Sequence, residues 1–89
     1  MQLAIRELTD REMILSREMI LSSDEWPLFP VLPIKRQLGL AEWPQLGIIT
    51  NGRPLTVYLA SLYDTITETT QAIVYDNIDK LLADGWRVD

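Results

Sequence analysis

Carboxylates are the only abundant side chains in this 89-residue chain that could do acid–base or metal chemistry. Asp76, Asp79 and Asp84 sit close together near the C-terminus, and Asp24 and Glu25 precede Trp26. Paired carboxylates can hydrolyse glycosidic bonds, and oxygen-rich clusters can hold hard cations. Other catalytic types are missing: with Cys 0 and His 0 there is no disulfide, thiolate or imidazole zinc site, Cys nucleophile or Ser-His-Asp arrangement. The string D-N-I-D at 76–79 lacks the glycine and distal glutamate of a calcium loop. A helix start explains it more simply, with Asp76 at the N-cap and Asp79 in the first turn, where the helix dipole favours negative charge. No catalytic residue, metal site or cofactor is expected, and the chain reads as a non-enzyme. Turnover dependent on Asp64 or Asp84 would overturn that reading.

The remaining residues with chemical character suit recognition. Lys35, Arg36 and Arg53 could converge on an anion, although three bases on a small surface commonly do no more than solvate it. Gly39, Gly47, Gly52 and Gly85 fit neither a P-loop nor a dinucleotide fingerprint. Trp26, Trp43, Tyr58, Tyr63 and Tyr75 are of the types that dominate interface hot spots, and each of the first two is followed by proline, at Trp26-Pro27 and Trp43-Pro44. A Trp stacked on its Pro would be a core plug. The candidate interaction residues are Trp26, Trp43, Tyr58, Ile49, Lys35, Arg36 and Arg53.

Composition bounds what can hold them. At 47% hydrophobic and 24% charged, the chain has the make-up of one folded domain. Its net charge of −5 argues against direct nucleic-acid binding. The charge is uneven, because residues 31–53 form a basic island between two acidic flanks. No apolar run reaches membrane-span length and no signal-peptide core is present, so a cytoplasmic location without membrane contact is expected.

The elements follow from local patterns. Thr9 and Glu12 are placed as a capping box, with Leu8 and Met13 as a hydrophobic staple, for a helix from about Asp10 to about Leu21. Inside it R-E-M-I-L-S occurs twice, at 11–16 and 17–22. Six helical residues rotate the second copy about 120° from the first, so the apolar triplets do not form one stripe. One side collects Met13, Ile14, Ile20 and Leu21, and another collects Leu8, Leu15 and Met19. Either one domain covers both, or a partner chain covers one; a recent duplication would leave one copy dispensable. Prolines at 27, 30 and 33 forbid helix and lead into a short edge strand over Val31 to Arg36. Asn51-Gly52 between strand-like runs predicts a type I′ hairpin with Ile48 opposite Leu55 and Leu46 opposite Val57. In that register Leu46, Ile48, Leu55, Val57 and Leu59 form the core face, Tyr58 shares the other face with Ile49 and Thr56, and the sheet is open near Pro54. The Thr-rich stretch from Leu62 to Thr70 reads as a loop or irregular strand. Gln71 to Tyr75 is a further strand, Asn77 to Ala83 a short helix capped by Asp76, and Gly85 its left-handed terminator, laying Trp86 on Leu81 before a terminal strand.

The pattern W-P-L-F-P-V-L-P-I-K-R, then V-Y-L-A-S-L-Y-D, then D-G-W-R-V-D resembles small accessory proteins of actinobacterial viruses and prophages, over Ser22 to Asp89. The resemblance implies a short viral gene product that binds a host protein, and it carries over no functional residue. The expected fold is α+β: residues 1–22 forming an N-terminal helix, and 23–89 a small domain with an antiparallel sheet of three or four strands, the central Asn-Gly hairpin and a short C-terminal helix, one domain overall. The expected function is protein binding without catalysis, to a host or viral protein or as a homodimer. The alternative is an acidic inhibitor that mimics nucleic acid, which needs the acids of residues 64–89, Asp79 and Asp84 among them, aligned on one face.

Overall fold

Thr9 sets the start of the first helix. In the computed structural model, which describes residues 5–89, α1 spans Asp10–Leu21. The Thr9 hydroxyl accepts the Glu12 N–H at 3.2 Å and the Glu12 carboxylate accepts the Thr9 N–H at 3.0 Å. The helix and its reciprocal cap match the sequence expectation; residues 1–4 of the N-terminal segment lie outside the described residues. A 3₁₀ turn at Ser23–Glu25 leads to β1 (Val31–Arg36), β2 (Gln45–Thr50), β3 (Leu55–Tyr58), β4 (Ala72–Tyr75), α2 (Ile78–Ala83) and β5 (Arg87–Val88). The fold is α+β, with a sheet of five strands, not three or four. Its order is β4-β3-β2-β1-β5 with every pair antiparallel. The terminal Arg87–Val88 pairs with β1, so β1 is no edge strand over Ile34–Lys35.

The Asn-Gly hairpin differs from expectation in register. Ile48 faces Tyr58, three positions beyond Leu55, and Ile49 faces Val57. A type I′ turn needs positive φ at both central residues, and neither Asn51 nor Gly52 has it. The Asn51 N–H is instead spent on Pro30 O at 3.0 Å, prolonging the β1–β2 ladder. A shift by an odd number of residues turns β2 over relative to β3. Gly47 and Ile49 therefore face the core, and Leu46 and Ile48 face outward. Pro54 precedes β3 and marks no open edge, because Leu55 pairs onward with Tyr75 of β4.

One sheet face carries Leu32, Ile34, Ile49, Val57 and Tyr75, and on it pack Ile20 of α1, Leu81 and Leu82 of α2, Trp26 and Trp86. The α1 side turned inward is Ser16 and Ile20 with Met13 and Met19 partly buried beside them, so it draws on both groupings expected, while Ile14, Leu15 and Leu21 stay exposed. The domain thus covers only part of the apolar surface of its helix. Ser16 lies in the buried stripe because β5 comes within hydrogen-bond reach, Val88 N–H donating to Ser16 Oγ at 3.0 Å. The α2 cap is Asn77, not Asp76. Asn77 Oδ1 accepts the Lys80 N–H at 2.9 Å, and Asp76 sits one residue too early, pairing with Lys80 Nζ. Gly85 ends α2 at φ 85°, its N–H donating to Leu82 O at 2.9 Å.

Gly47 is where the sheet admits Trp86. A Cβ there would stand 2.8 Å from Val57 Cγ1 and 2.9 Å from Trp86 Cζ3, neither of which has room to retreat in the core. Gly47→Ala is expected to lower stability by about 1–3 kcal/mol through overpacking. A urea midpoint that falls with unchanged slope would show it; an unchanged midpoint would mean that the indole shifts freely.

Candidate interaction surface

The observed register separates the candidate residues onto different surfaces. Trp26 is buried, donating Nε1–H to Met19 O at 2.7 Å, so it is a core plug that ties the end of α1 to the sheet. Ile49 is wholly buried, which corrects its place among the interaction residues and beside Tyr58. Arg36 is also buried. Its Nε donates to Gln45 Oε1 at 2.7 Å, its Nη1 lies 3.6 Å from Asp84 Oδ2, and its guanidinium stands 4.5 Å from the Trp86 ring centroid, a cation–π contact. Lys35, its strand neighbour, points to the opposite face and pairs with Asp89 at 2.8 Å. Arg53 lies in the exposed β2–β3 loop. The three bases therefore form no common anion site. Arg53 instead rims a cleft of about 660 Å³ with Ile20, Trp26 and Ile49 among its lining, bridged by an Arg17–Asp79 ion pair.

Tyr58 and Lys35 do lie on one surface, the outer face of the sheet. Strand pairing sets Pro33, Ile48, Tyr58 and Ala72 in one row across it, with Lys35 beside Leu46 and Thr56 beside Val74. Leu46 is 43% exposed and Val74 61%, while Ile48 is buried. The β1–β2 loop at the end of this face presents Leu40, fully exposed, and Trp43, 77% exposed. Leu40, Leu46 and Val74 are not among the interaction residues that the sequence singles out. The parity of β2 and β4 supplies Leu46 and Val74 once Gly47 is recognised as the inward position.

The carboxylates are distributed as structural charges. Asp76 holds Lys80 at 2.8 Å, which keeps its carboxyl below the ordinary value, Asp79 pairs with Arg17, Asp84 with Arg36 and Asp89 with Lys35. Of the acids in residues 64–89, Asp64 and Glu68 alone have no cation among the described residues. Glu12, bound by the Arg6 guanidinium and the Thr9 N–H, is lowered to about 2. Among the described residues no three acidic side chains form a metal-ligating group, and no helix is long and apolar enough to cross a membrane.

Asp84 instead anchors a relay that runs into the core. Trp86 Nε1–H donates to Tyr75 Oη at 2.9 Å and Tyr75 O–H to Asp84 Oδ2 at 2.6 Å. Burial, then the Asp84 carboxylate, pushes the Tyr75 hydroxyl up from 10.0 to about 12. A folded-state value above the unfolded one means that the fold holds the proton: the stabilisation is complete below pH 10 and is lost as pH rises through about 12. A spectrophotometric titration should show one tyrosinate step at about 12 that Tyr75→Phe abolishes; ionisation of Tyr75 at 10 would mean that the relay does not hold its proton.

No protein-family model, curated protein or solved structure matches the chain.

Proposed function

We propose that this protein acts by binding another protein and performs no catalysis. The observation behind the reading is the outer face, where Leu46 and Val74 stand exposed around Tyr58 and run toward the Trp43 loop, in a chain small enough to need its apolar residues inside. Contiguous apolar patches rimmed by polar residues mark interaction sites, and Trp and Tyr are the usual anchors. The resemblance to viral accessory proteins supplies the setting: a host protein as partner, in the host cytoplasm.

Tagged protein is used to capture partners from a bacterial lysate, with washes at low and high salt and the free protein sized by light scattering. The expected result is a partner that survives high salt and is lost when Leu46→Lys and Val74→Lys are combined. A dimer that this double variant splits would make a second copy the partner. The acidic-mimic alternative draws on Asp64 and Glu68, but Asp76, Asp79, Asp84 and Asp89 are neutralised within the chain. A partner lost at high salt and indifferent to the double variant would favour it, since exposed charge contacts are screened over about 8–10 Å.

A further inference from the structure

The sheet has two rims, and the chain closes only one of them. β5 is short, and α1 lies along it, where the Val88 N–H, turned away from β1, is taken by Ser16 Oγ at 3.0 Å. β4 forms the other rim, and among the described residues no strand lies beyond it. Its sequence, Q-A-I-V-Y over 71–75, holds neither a charge nor a proline, the devices that ordinarily keep such a rim from pairing. The phase of the β3–β4 ladder decides which of its backbone groups are free. Leu59 N–H donates to Gln71 O at 2.9 Å, so the bonded pairs are Leu59 with Gln71, Val57 with Ile73 and Leu55 with Tyr75. Ala72 and Val74 therefore turn both N–H and C=O outward. Both residues are exposed, and the turn and cap bonds around them, at Thr67, Thr70 and Asn77, leave these groups unused among the described residues.

This rim is its own complement. The outward residues lie one on each side of Ile73, so a two-fold axis at Ile73 sets Ala72 of each copy against Val74 of the other. Each such pair exchanges both of its N–H···O bonds, and every outward group of β4 is used. An axis at Ala72 would instead call on Thr70 N–H, already donated to Thr67 O at 3.1 Å, and an axis at Val74 on Asp76, beyond the end of β4. Ile73 is partly buried on the core side, and its uncovered part would meet Ile73 of the second copy in a non-bonded pair, where side chains come closest. Two chains of net −5 repel, but the nearest acids, Glu68 and Asp76, lie outside the paired stretch, and Asp76 is held by Lys80 at 2.8 Å. We propose that β4 pairs antiparallel with β4 of a second copy, joining the two sheets into one across a two-fold axis. The contact is short, which makes the dimer reversible and dependent on concentration. It engages the backbone rim, leaves Leu46 and Trp43 free, and does not depend on the outer-face reading.

The test is amide hydrogen exchange followed by NMR on the full chain, with mass from light scattering, between about 10 µM and about 1 mM protein. The mass is expected to double over that range, and the Ala72 and Val74 amides to gain protection in step with it. The Ile73 and Tyr75 amides, bonded to β3, should be protected throughout. Ala72→Pro removes one outward N–H and leaves the ladder to β3 whole. Through the two-fold axis it deletes two of the four bonds at the junction, which should raise the Kd at least about tenfold. Ala72→Ser keeps the N–H and should dimerise as the wild type does, as should Leu46→Lys, on the outer face two strands away. A monomer at about 1 mM overturns the proposal. So does a dimer whose Ala72 and Val74 amides exchange as freely as in the monomer, or one that Leu46→Lys splits and Ala72→Pro does not. A monomer in which these amides gain protection only with a captured partner bound gives the rim to a foreign strand and overturns self-pairing. Should the proline variant not fold, the exchange pattern of the wild type decides alone.

Discussion

Trp86→Ala should leave the protein largely unfolded under conditions where the wild type is stable. The indole is wholly buried, lies over Gly47 on the sheet and sits beneath the Arg36 guanidinium. Truncating a buried Trp to Ala costs about 3–5 kcal/mol, from lost burial and the cavity left behind. Against a total of roughly 4–13 kcal/mol for a domain of this length, that is much or all of the margin. The loss also spreads, because Tyr75 Oη loses its Nε1–H donor and Arg36 its aromatic platform. Trp86→Phe separates the two contributions: it keeps much of the apolar area and removes the hydrogen bond, so its cost should be intermediate. Urea unfolding followed by circular dichroism measures both. An alanine variant that unfolds at the wild-type midpoint would show that the core does not depend on this residue.

That central residue is legible in the sequence, since Gly85 followed by Trp86 announces a helix terminator with an indole folded back. The same holds for α1, where Thr9 and Glu12 specify a boundary through local hydrogen bonds that need nothing from the rest of the chain. The β2–β3 pairing is not legible in this way, because the favoured turn dipeptide speaks only for its own two residues. Long-range demands outweigh it: Gly47 must lie under Trp86, and Asn51 N–H completes the ladder to β1 through Pro30. That single three-residue slide puts Ile49 in the core and Leu46 on the surface. The α2 cap falls one residue beyond Asp76 for a related reason, since Asp and Asn are both good caps and the sequence offers them side by side. The side-chain cluster between α1 and the β5 edge has no local signature at all. Glu12, Lys35 and Arg87 are far apart in the chain and meet only because β5 closes the sheet beside α1.

Removing one R-E-M-I-L-S copy is the sharper test of how α1 is built, because deletion of 11–16 and deletion of 17–22 yield the same sequence. The two copies have identical residues and different duties. Ile14 is exposed and Ile20 buried; Ser16 receives the Val88 N–H, and Ser22 closes the helix with its N–H on Glu18 O and Met19 O. If the surviving copy keeps the place next to Thr9, the cap and Ser16 contact persist. The helix is then about 9 Å shorter, at 1.5 Å per residue, and Ile20 and the Met19 carbonyl that holds Trp26 are gone. Losing a buried Ile contact costs about 1.5–3 kcal/mol. A buried Trp26 N–H without an acceptor adds about 1–3 kcal/mol. If the copy takes the second place instead, the local capping box moves with it and the Ser16 bond is lost, at about 1 kcal/mol. In the first arrangement the deletion should destabilise by about 2.5–6 kcal/mol, which a domain of this size can scarcely tolerate. Point variants assign the cause: Ile20→Ala should cost about 2–5 kcal/mol and Ile14→Ala no more than about 0.5 kcal/mol, although both are the same residue of the same repeat. A deletion variant that unfolds at the wild-type midpoint would make one copy dispensable. Equal effects of the two alanine variants would mean that the inward side of α1 is not that of Ser16 and Ile20.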